Sequence, residues 1–378
     1  MGATDLSKSQ DDIKVMLVED SAVVRGMVRK WLGVIDGIVV VDSADNGQIA
    51  INKVAGLQPD IIILDIEMPV MDGLTALPMI LQKCPKAKVL IASTLSKKNA
   101  EITLKAMSLG ASDYIAKPSF ARDGNDARAE FQKELIRKVT GLVPRRVTTN
   151  PRTGSVGLAT KTGATWAPMP DANASFQFRK KSFIVPKILA IGSSTGGPAA
   201  LTKLFTDLRG MLNNIPTLLT QHMPPTFTAL LGEKLARIAN IEGGEAVDGE
   251  EIIAGRLYVA PGGYHMLVAS ENGKRIIRLN QKPPINHCRP AVDPMFESIA
   301  EHYGNSTLAT VLTGMGSDGA NGAVAIAHTG GTVYAQDEAS SVVWGMPGAT
   351  AAAGACTALV PINDMANKLS PMLIKGNI

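Results

Sequence analysis

The sequence predicts an α/β protein with two doubly wound domains, each built on a mainly parallel sheet. Short runs rich in Val, Ile and Leu alternate with amphipathic segments, a pattern typical of parallel sheets covered by helices. This alternation occurs twice and is interrupted at residues 142–183, which show no sustained period of 2 or 3.6. A chain of 378 residues is also too long for one ordinary core.

The first domain is predicted at residues 13–135. One face of its first predicted helix carries Val24, Val28 and Leu32, which recur at helical spacing. Four segments read as buried parallel strands: KVMLVE, DIIILDI, KVLIAST and DYIAKP.

The second domain, at residues 184–378, is expected to be a mainly parallel sheet carrying an antiparallel hairpin. Asn272-Gly273 lies between two alternating runs, and this dipeptide favours a two-residue hairpin turn. The predicted parallel strands are KILAIG, TLLTQH, TLATVLTG, GTVYA and TALV.

Residues 142–183 are interpreted as a basic interdomain linker. This stretch is rich in Pro, Gly, Thr and Ala, and it contains seven Lys and Arg residues against one Asp. Alternatively, its basic ends at Arg145–Arg146 and Arg179–Lys181 help to bind an acidic partner.

The composition argues against a nucleic-acid-binding, disulfide-bonded, secreted or membrane-spanning protein. Lys and Arg number 38 and Asp and Glu 34, which is no nucleic-acid-binding signature. The three cysteines have neither metal-site nor disulfide spacing, so we expect reduced thiols. The polar start of the sequence does not resemble a signal peptide, and no apolar run approaches the ~20 residues of a bilayer span. We therefore expect a soluble, cytoplasmic protein without membrane insertion.

Acidic residues follow two predicted strands of the first domain. Glu19 and Asp20 follow the first strand, Asp65 ends the second, and Ser93 and Lys117 end the next two. The carboxyl ends of parallel strands converge on one edge, where carboxylates would repel one another without a bound cation. Mg²⁺ suits such oxygen ligands and leaves positions open for a phosphoryl group. An isolated acid after a strand can instead be a simple helix cap.

The motifs MLVEDSAVVRGMV, IILDIEMPVMDG, LIAST and YIAKP closely resemble the receiver domain of bacterial response regulators. The resemblance implies that Asp65 is the phosphoacceptor, phosphorylated by a histidine kinase. The Mg²⁺ ligands would be Glu19, Asp20, Asp65 and the carbonyl of Glu67. Ser93 and Tyr114 would be the switch residues, and Lys117 would bind the phosphoryl group.

In the second domain, the stretch GSSTGGP is a glycine-rich turn between a predicted strand and a predicted helix. It lacks the ending of a P-loop and the spacing of a dinucleotide-binding turn. It does contain Gly192-x-Ser194-x-Gly196, a weak signal for a nucleophilic serine raised above a sheet.

A serine nucleophile needs a base and a group that orients the base. His222 ends a predicted strand and Asp318 follows another, so both are expected at the same edge as Ser194. His265 could also face this edge, and Asp318 could simply cap a helix. The order Ser-His-Asp along the chain differs from that of α/β-hydrolases.

The motifs AIGSSTGGPAAL, QHMPPTFT, APGGYHM and VLTGMGSDGA, after a receiver domain, resemble the chemotaxis response regulator protein-glutamate methylesterases. The resemblance implies that Ser194 is the nucleophile, His222 the general base and Asp318 its orienting group. Backbone N–H groups near Thr195 and Met315 would form the oxyanion hole, and the catalytic domain would need no cofactor.

The implied activity is a phosphorylation-activated hydrolase of the serine type. It would demethylate glutamate methyl esters on methyl-accepting chemotaxis receptors, release methanol and deamidate some glutamines. In this family the unphosphorylated receiver covers the catalytic cleft, and a monomer is expected. The alternatives are a receiver-controlled binding or DNA-binding module without catalysis, and a phosphate-binding or nucleotide-binding domain.

Overall fold

The computed structural model describes residues 12–94, 96–118, 124–143 and 176–374. They form two compact units, one made of residues 12–92 and 114–143, the other of the described residues in 93–113 and 176–374. Most of the predicted linker, residues 144–175, lies outside the described part of the chain. In that part, no helix combines the length and the apolar character needed to cross a bilayer.

The N-terminal sheet has five strands joined by helices. The strands are β1 (Ile13–Val18), β2 (Ile38–Ala44), β3 (Ile61–Asp65), β4 (Lys88–Thr94) and β5 (Asp113–Lys117). The helices are α1 (Ala22–Leu32), α2 (Gly47–Leu57), α3 (Gly73–Lys83), α4 (Lys97–Ser108) and α5 (Gly124–Leu142). The strand order is β2-β1-β3-β4-β5, and β1 pairs in parallel with β2 and β3.

Side-chain caps start several of these helices directly after a short loop. The Ser21 hydroxyl accepts a hydrogen bond from the Val24 amide at 3.4 Å, and Asp72 accepts one from the Thr75 amide at 2.7 Å. Asp72 therefore has the capping role that an acid after a strand can have. Asp65, at the end of β3, lies outside any helix and is free for another role.

The C-terminal unit contains a seven-stranded sheet. Its strands are β6 (Ile188–Ser193), β7 (Thr217–Gln221), β8 (Glu242–Glu245), β9 (Arg256–Val259), β12 (Thr307–Val311), β13 (Thr332–Gln336) and β14 (Ala358–Val360). Its helices are α6 (Gly197–Asp207), α7 (Phe227–Ala239), α8 (Val292–Tyr303), α9 (Ala320–His328), α10 (Gly345–Ala352) and α11 (Ile362–Ile374). The order is β14-β13-β12-β6-β7-β9-β8, and every adjacent pair is parallel.

The predicted hairpin is confirmed and forms a sheet of its own. It consists of β10 (His265–Glu271) and β11 (Lys274–Asn280), and the turn residues Asn272 and Gly273 have φ angles of 51° and 80°. Positive φ at both positions is the requirement of a type I′ turn. The apolar face of the hairpin is buried in the same core as α8, so side-chain packing connects it to the main sheet.

The register of the central strands brings three loops to one edge. Gly192 on β6 pairs with Val311 on β12 and with Thr220 on β7. The three strands therefore end at the same level, and the residues that follow them lie at one edge of the sheet.

Candidate functional site

Three carboxylates of the N-terminal unit meet at the carboxyl ends of β1 and β3. Each of Glu19, Asp20 and Asp65 offers one oxygen, and these oxygens all lie within 4.8 Å of one another. Glu19 and Asp65 are buried, whereas Asp20 is exposed. This set of carboxylate oxygens fits a hard divalent cation such as Mg²⁺.

The ammonium group of Lys117 neutralises part of this charge. Its Nζ lies 2.7 Å from Asp65 Oδ2 and 3.1 Å from Glu19 Oε2. Burial raises the pKa of both carboxyl groups, although Lys117 opposes the rise. Burial would lower the pKa of Lys117, but the two carboxylates outweigh it and raise that pKa.

The other three residues singled out in the first domain have separate surroundings in the structure. Ser93 is buried near the end of β4, and its hydroxyl donates to the Thr94 carbonyl at 3.3 Å. Tyr114 is buried on β5 beneath the ammonium group of Lys138, 5.3 Å from the ring centre. The Glu67 side chain is exposed and lies outside the carboxylate cluster found among the described residues.

The turn that carries Ser194 joins β6 to α6 and depends on glycine. Gly196 has a φ of 78°, and a Cβ there would lie 2.6 Å from the Val342 Cβ. Only glycine can adopt this positive φ without strain and also avoid a clash with Val342. The Ser194 amide donates to the Thr313 carbonyl at 3.0 Å, which ties the turn to the loop after β12.

His222 and Asp318 form a direct pair at the same edge. His222 Nε2 lies 2.7 Å from Asp318 Oδ2, and the two side chains are 9% and 2% exposed. The Asp318 carboxylate also accepts hydrogen bonds from the Val292 amide at 2.6 Å and the Asp293 amide at 3.0 Å. It therefore caps α8, whose own N-cap residue supplies no side-chain hydrogen bond.

The pKa values of the pair are shifted by their surroundings. Burial alone would lower the pKa of His222, but the negative charge and hydrogen bond of the Cys288 side chain, together with the Asp318 carboxylate, outweigh it and raise this pKa to about 10. Burial alone would raise the pKa of Asp318, but the His222 ring and the α8 amides hold it below the usual value. The imidazole is thus charged at neutral pH in this arrangement.

Cys288 is a neighbour of the candidate base that the sequence analysis missed. It was expected to be an ordinary reduced thiol, and its position in PPINHCRP contains no signal for contact with His222. Asn286 and His287, with φ angles of 49° and 65°, form a tight turn closed by hydrogen bonds between Ile285 and Cys288. The path of this loop cannot be derived from composition or spacing.

A backbone hydrogen bond joins His222 to Ser193, the residue that precedes Ser194. The His222 amide donates to the Ser193 carbonyl at 3.1 Å, between neighbouring strand ends. In the described part of the chain, no hydrogen bond joins the Ser194 hydroxyl to the His222 ring. Catalytic hydrogen bonds are often long or poorly aligned when no substrate is bound.

The two residues whose amides are expected near an oxyanion lie in the Ser194 turn and in the loop after β12. Thr195 and Met315 are both buried, and the Thr195 amide donates no hydrogen bond to any described residue. Met315 follows Gly314, where a Cβ would lie 3.0 Å from the Ser194 Cβ. The loop after β12 thus runs directly beside Ser194.

His265 has a structural position in the described chain. Its ring is buried, Nδ1 accepts a hydrogen bond from the Ala291 amide at 3.2 Å, and Nε2 donates to the Pro283 carbonyl at 3.2 Å. These bonds join both ends of the loop that carries Cys288. Because both ring nitrogens have backbone partners, His265 stabilises the loop and is not positioned as a second base.

Known proteins are similar to this chain over nearly its whole length. A protein of Rhodospirillum rubrum named protein-glutamate methylesterase/protein-glutamine glutaminase 1 is 48% identical, over 94% of this chain and 93% of its own. A relative of the same name from Paramagnetospirillum magneticum is also 48% identical, over 95% of this chain and 96% of its own. The crystal structure of the CheB methylesterase catalytic domain of Thermotoga maritima is 39% identical, covers 50% of this chain and all of that one, and has a TM-score of 0.48.

Two family descriptions match separate parts of the chain. Residues 15–127 match the response regulator receiver domain, and residues 189–369 match the CheB methylesterase family. Both resemblances seen in the sequence motifs are thereby confirmed. With 48% identity to a relative across nearly all of its length, this chain belongs to the CheB methylesterase family and carries a response regulator receiver domain.

Proposed function

We propose that this protein hydrolyses glutamate methyl esters on chemotaxis receptors, releases methanol and is activated by phosphorylation of its receiver domain. Its relatives carry the name protein-glutamate methylesterase/protein-glutamine glutaminase. The main structural support is the 2.7 Å contact between His222 Nε2 and Asp318 Oδ2, at the edge where the Ser194 turn also lies.

The proposed reaction has two acyl-transfer steps. The Ser194 hydroxyl attacks the ester carbonyl while His222 takes its proton, and the charged intermediate then expels methanol with that proton. A water molecule, deprotonated by His222, next attacks the acyl-enzyme, which releases glutamate and restores Ser194. Because Asp318 binds Nε2, proton transfer would use the Nδ1 atom of His222, once the hydrogen bond between the ring and the Cys288 side chain opens.

The intermediate carries a negative charge on the former carbonyl oxygen. We propose that the amides of Thr195 and Met315 donate hydrogen bonds to this oxygen. One such donor is typically worth about 3 kcal/mol of transition-state stabilisation. The same steps, with ammonia as the leaving group, would deamidate a glutamine side chain, because a primary amide presents a similar carbonyl.

In the receiver, we propose that Asp65 accepts a phosphoryl group from the phosphohistidine of a histidine kinase. Glu19, Asp20 and Asp65, with the carbonyl of Glu67, would hold Mg²⁺, which when bound balances the charge of the phosphoryl oxygens. Lys117 is already within 3.1 Å of Asp65 and Glu19 and would bind the phosphoryl group. Ser93 and Tyr114 are the proposed switch residues.

The proposed domains are a receiver at residues 13–135 and a catalytic domain at 184–378, joined by a linker at 142–183. We further propose that the protein acts as a cytoplasmic monomer. Its partners would be a chemoreceptor as substrate and a histidine kinase as phosphodonor, with no role for nucleic acid.

A methanol-release assay on methylated chemoreceptor, with a small phosphodonor present, tests the activity. Ser194→Ala and His222→Ala are each expected to reduce the rate by at least about 10³-fold, because nucleophile and base act as a unit. His328→Ala is a matched control, since His328 is exposed on α9. Full methanol release by a folded Ser194→Ala protein would exclude the serine mechanism.

A further inference from the structure

Gln221, the last residue of β7, is a buried polar residue to which the proposed reaction gives no role. Its side-chain amide contacts the backbone on both sides of the site. Nε2 donates to the Ser194 carbonyl at 2.9 Å and approaches the His222 carbonyl at 3.3 Å. One amide group thus joins the backbone of the candidate nucleophile to that of the candidate base.

The position of this amide is itself closely determined. The Ser193 hydroxyl donates to Gln221 Oε1 at 2.7 Å, and Ser193 and Gln221 are paired residues of β6 and β7. Gly197 leaves room for the side chain, because a Cβ there would lie 2.0 Å from Oε1. Gln221 is 2% exposed, so water does not compete for these contacts.

The hydrogen bond from Gln221 to the Ser194 carbonyl also affects the Thr195 N–H, which belongs to the same peptide group. A peptide group is planar and trans, so its C=O and N–H point in opposite directions. The Ser194 carbonyl is bound by Gln221 Nε2 and by the Gly197 amide, at 2.9 Å and 2.8 Å. Fixing this carbonyl also fixes the direction of the Thr195 N–H, which donates no hydrogen bond to any described residue.

We infer that Gln221 is a positioning residue for catalysis, which orients the Ser194–Thr195 peptide so that Ser194 Oγ and the Thr195 N–H face the reacting carbonyl together. The inference rests on the proposed serine mechanism. It predicts that Gln221 contributes to the chemical step and not to receptor binding.

The test compares Gln221→Glu with the full-length parent in the methanol-release assay. An ionised carboxylate has no hydrogen to donate to the Ser194 carbonyl, so this carbonyl keeps the Gly197 amide as a donor but loses the Gln221 side chain. At about pH 8, the high end of the range tested, we expect kcat to fall about 100-fold, the size of effect that a small misplacement of a catalytic group can have, with KM within about 3-fold of the parent. The rate of covalent labelling of Ser194 by a fluorophosphonate should fall with kcat.

The pH dependence separates positioning from general structural support. A neutral carboxylic acid again offers one O–H donor, and burial favours this form. The ratio of kcat for Gln221→Glu to kcat for the parent should therefore rise as the pH falls from about 8 to about 5. Gln221→Met, which has no donor at any pH, should show a low ratio that does not change with pH.

Thr220→Val is the matched control, because Thr220 is the buried neighbour of Gln221 on β7 and its hydroxyl donates to the Met295 sulfur at 3.2 Å. It should retain kcat within about 3-fold of the parent, given that an ordinary hydrogen bond contributes roughly 1 kcal/mol. Thermal unfolding followed by circular dichroism establishes that each variant is folded.

The inference is wrong if folded Gln221→Glu and Gln221→Met both keep the parental kcat and labelling rate. It is also wrong if the loss lies in KM alone, or if the Gln221→Glu ratio does not change with pH. A parent that is not labelled at Ser194, together with an active Ser194→Ala variant, would instead overturn the proposed function.

Discussion

The Asp318 carboxylate has an unusual number of partners for a single side chain. It contacts the His222 ring and accepts hydrogen bonds from the amides of Val292, Asp293 and Gly319. The α8 amides stabilise its negative charge and fix its direction. The group that orients the proposed base is thus immobilised by the start of a helix.

The raised pKa of His222 leads to a pH prediction. A general base must be neutral, and an imidazole with a pKa of about 10 is protonated at neutral pH. The value of kcat/KM for the parent should therefore still rise with pH between about 7 and 9. Cys288→Ala removes one of the two groups that raise this pKa, so the rise should shift to lower pH and the rate at pH 7 should increase.

The measurement for this prediction is a pH profile of methanol release for the parent, Cys288→Ala and Cys356→Ser. Cys356 is a buried cysteine that does not appear among the groups acting on His222, so its variant should keep the parental profile. Coincident profiles for Cys288→Ala and the parent would mean that the thiol does not control the base.

At the scale of single residues, the sequence supports some candidates better than others. Ser194, His222 and Asp318 could be proposed because each ends a predicted strand or lies in or just past the loop that follows one, and parallel strands bring such positions together. Cys288 and Gln221 could not be identified as site residues from the sequence. The contact of Cys288 depends on the path of an irregular loop, and that of Gln221 depends on side-chain packing between paired strands.

At the scale of elements, the turn between β6 and α6 carries the tightest steric requirement near Ser194. Gly196→Ala should lower the free energy of unfolding by about 1–3 kcal/mol, because alanine is strained at positive φ and its Cβ would contact Val342. Methanol release should also fall, since the turn carries Ser194. Denaturant unfolding and the release assay measure the two effects.

Gly210→Ala is the matched control for this substitution. Gly210 has a φ of 77°, almost the same as Gly196, but a Cβ there would have no neighbour within 4 Å. Gly210→Ala should lower the free energy of unfolding only by the cost of the left-handed conformation, about 1–2 kcal/mol, and should leave methanol release unchanged. Equal losses of stability and activity for both variants would refute the steric argument.

The central strands and the hairpin were predictable, whereas two edge strands were not. Central parallel strands are buried on both faces and therefore appear as continuous apolar runs. β2 contains Asp42 and Ser43, and β8 has the sequence EGGE, so neither resembles a buried strand. Both lie at the end of a sheet and form by pairing with one neighbour.

At the scale of the whole molecule, the order of the motifs along the chain was enough to predict a receiver followed by a hydrolase. That prediction depended on the resemblance of the motifs to known families, because no single segment specifies these activities by its composition or periodicity. The structure of the linker was not predictable, because its Pro-rich and Gly-rich composition specifies no packed element.

Phosphorylation should control the activity of the intact chain. Asp65→Asn should keep methanol release low in the presence of a small phosphodonor, because an amide cannot accept the phosphoryl group. Removal of residues 1–141 should raise the basal rate and make it independent of the phosphodonor. The assay compares the three proteins with and without phosphodonor, and equal rates for the full-length and truncated proteins would refute autoinhibition.

The contact between His222 and Asp318 spans 96 positions of the chain. While a ribosome is still making the C-terminal half, the histidine has already emerged but its carboxylate partner has not yet been synthesised. Under the proposed mechanism, a nascent or prematurely terminated chain that ends before residue 318 should therefore have no esterase activity.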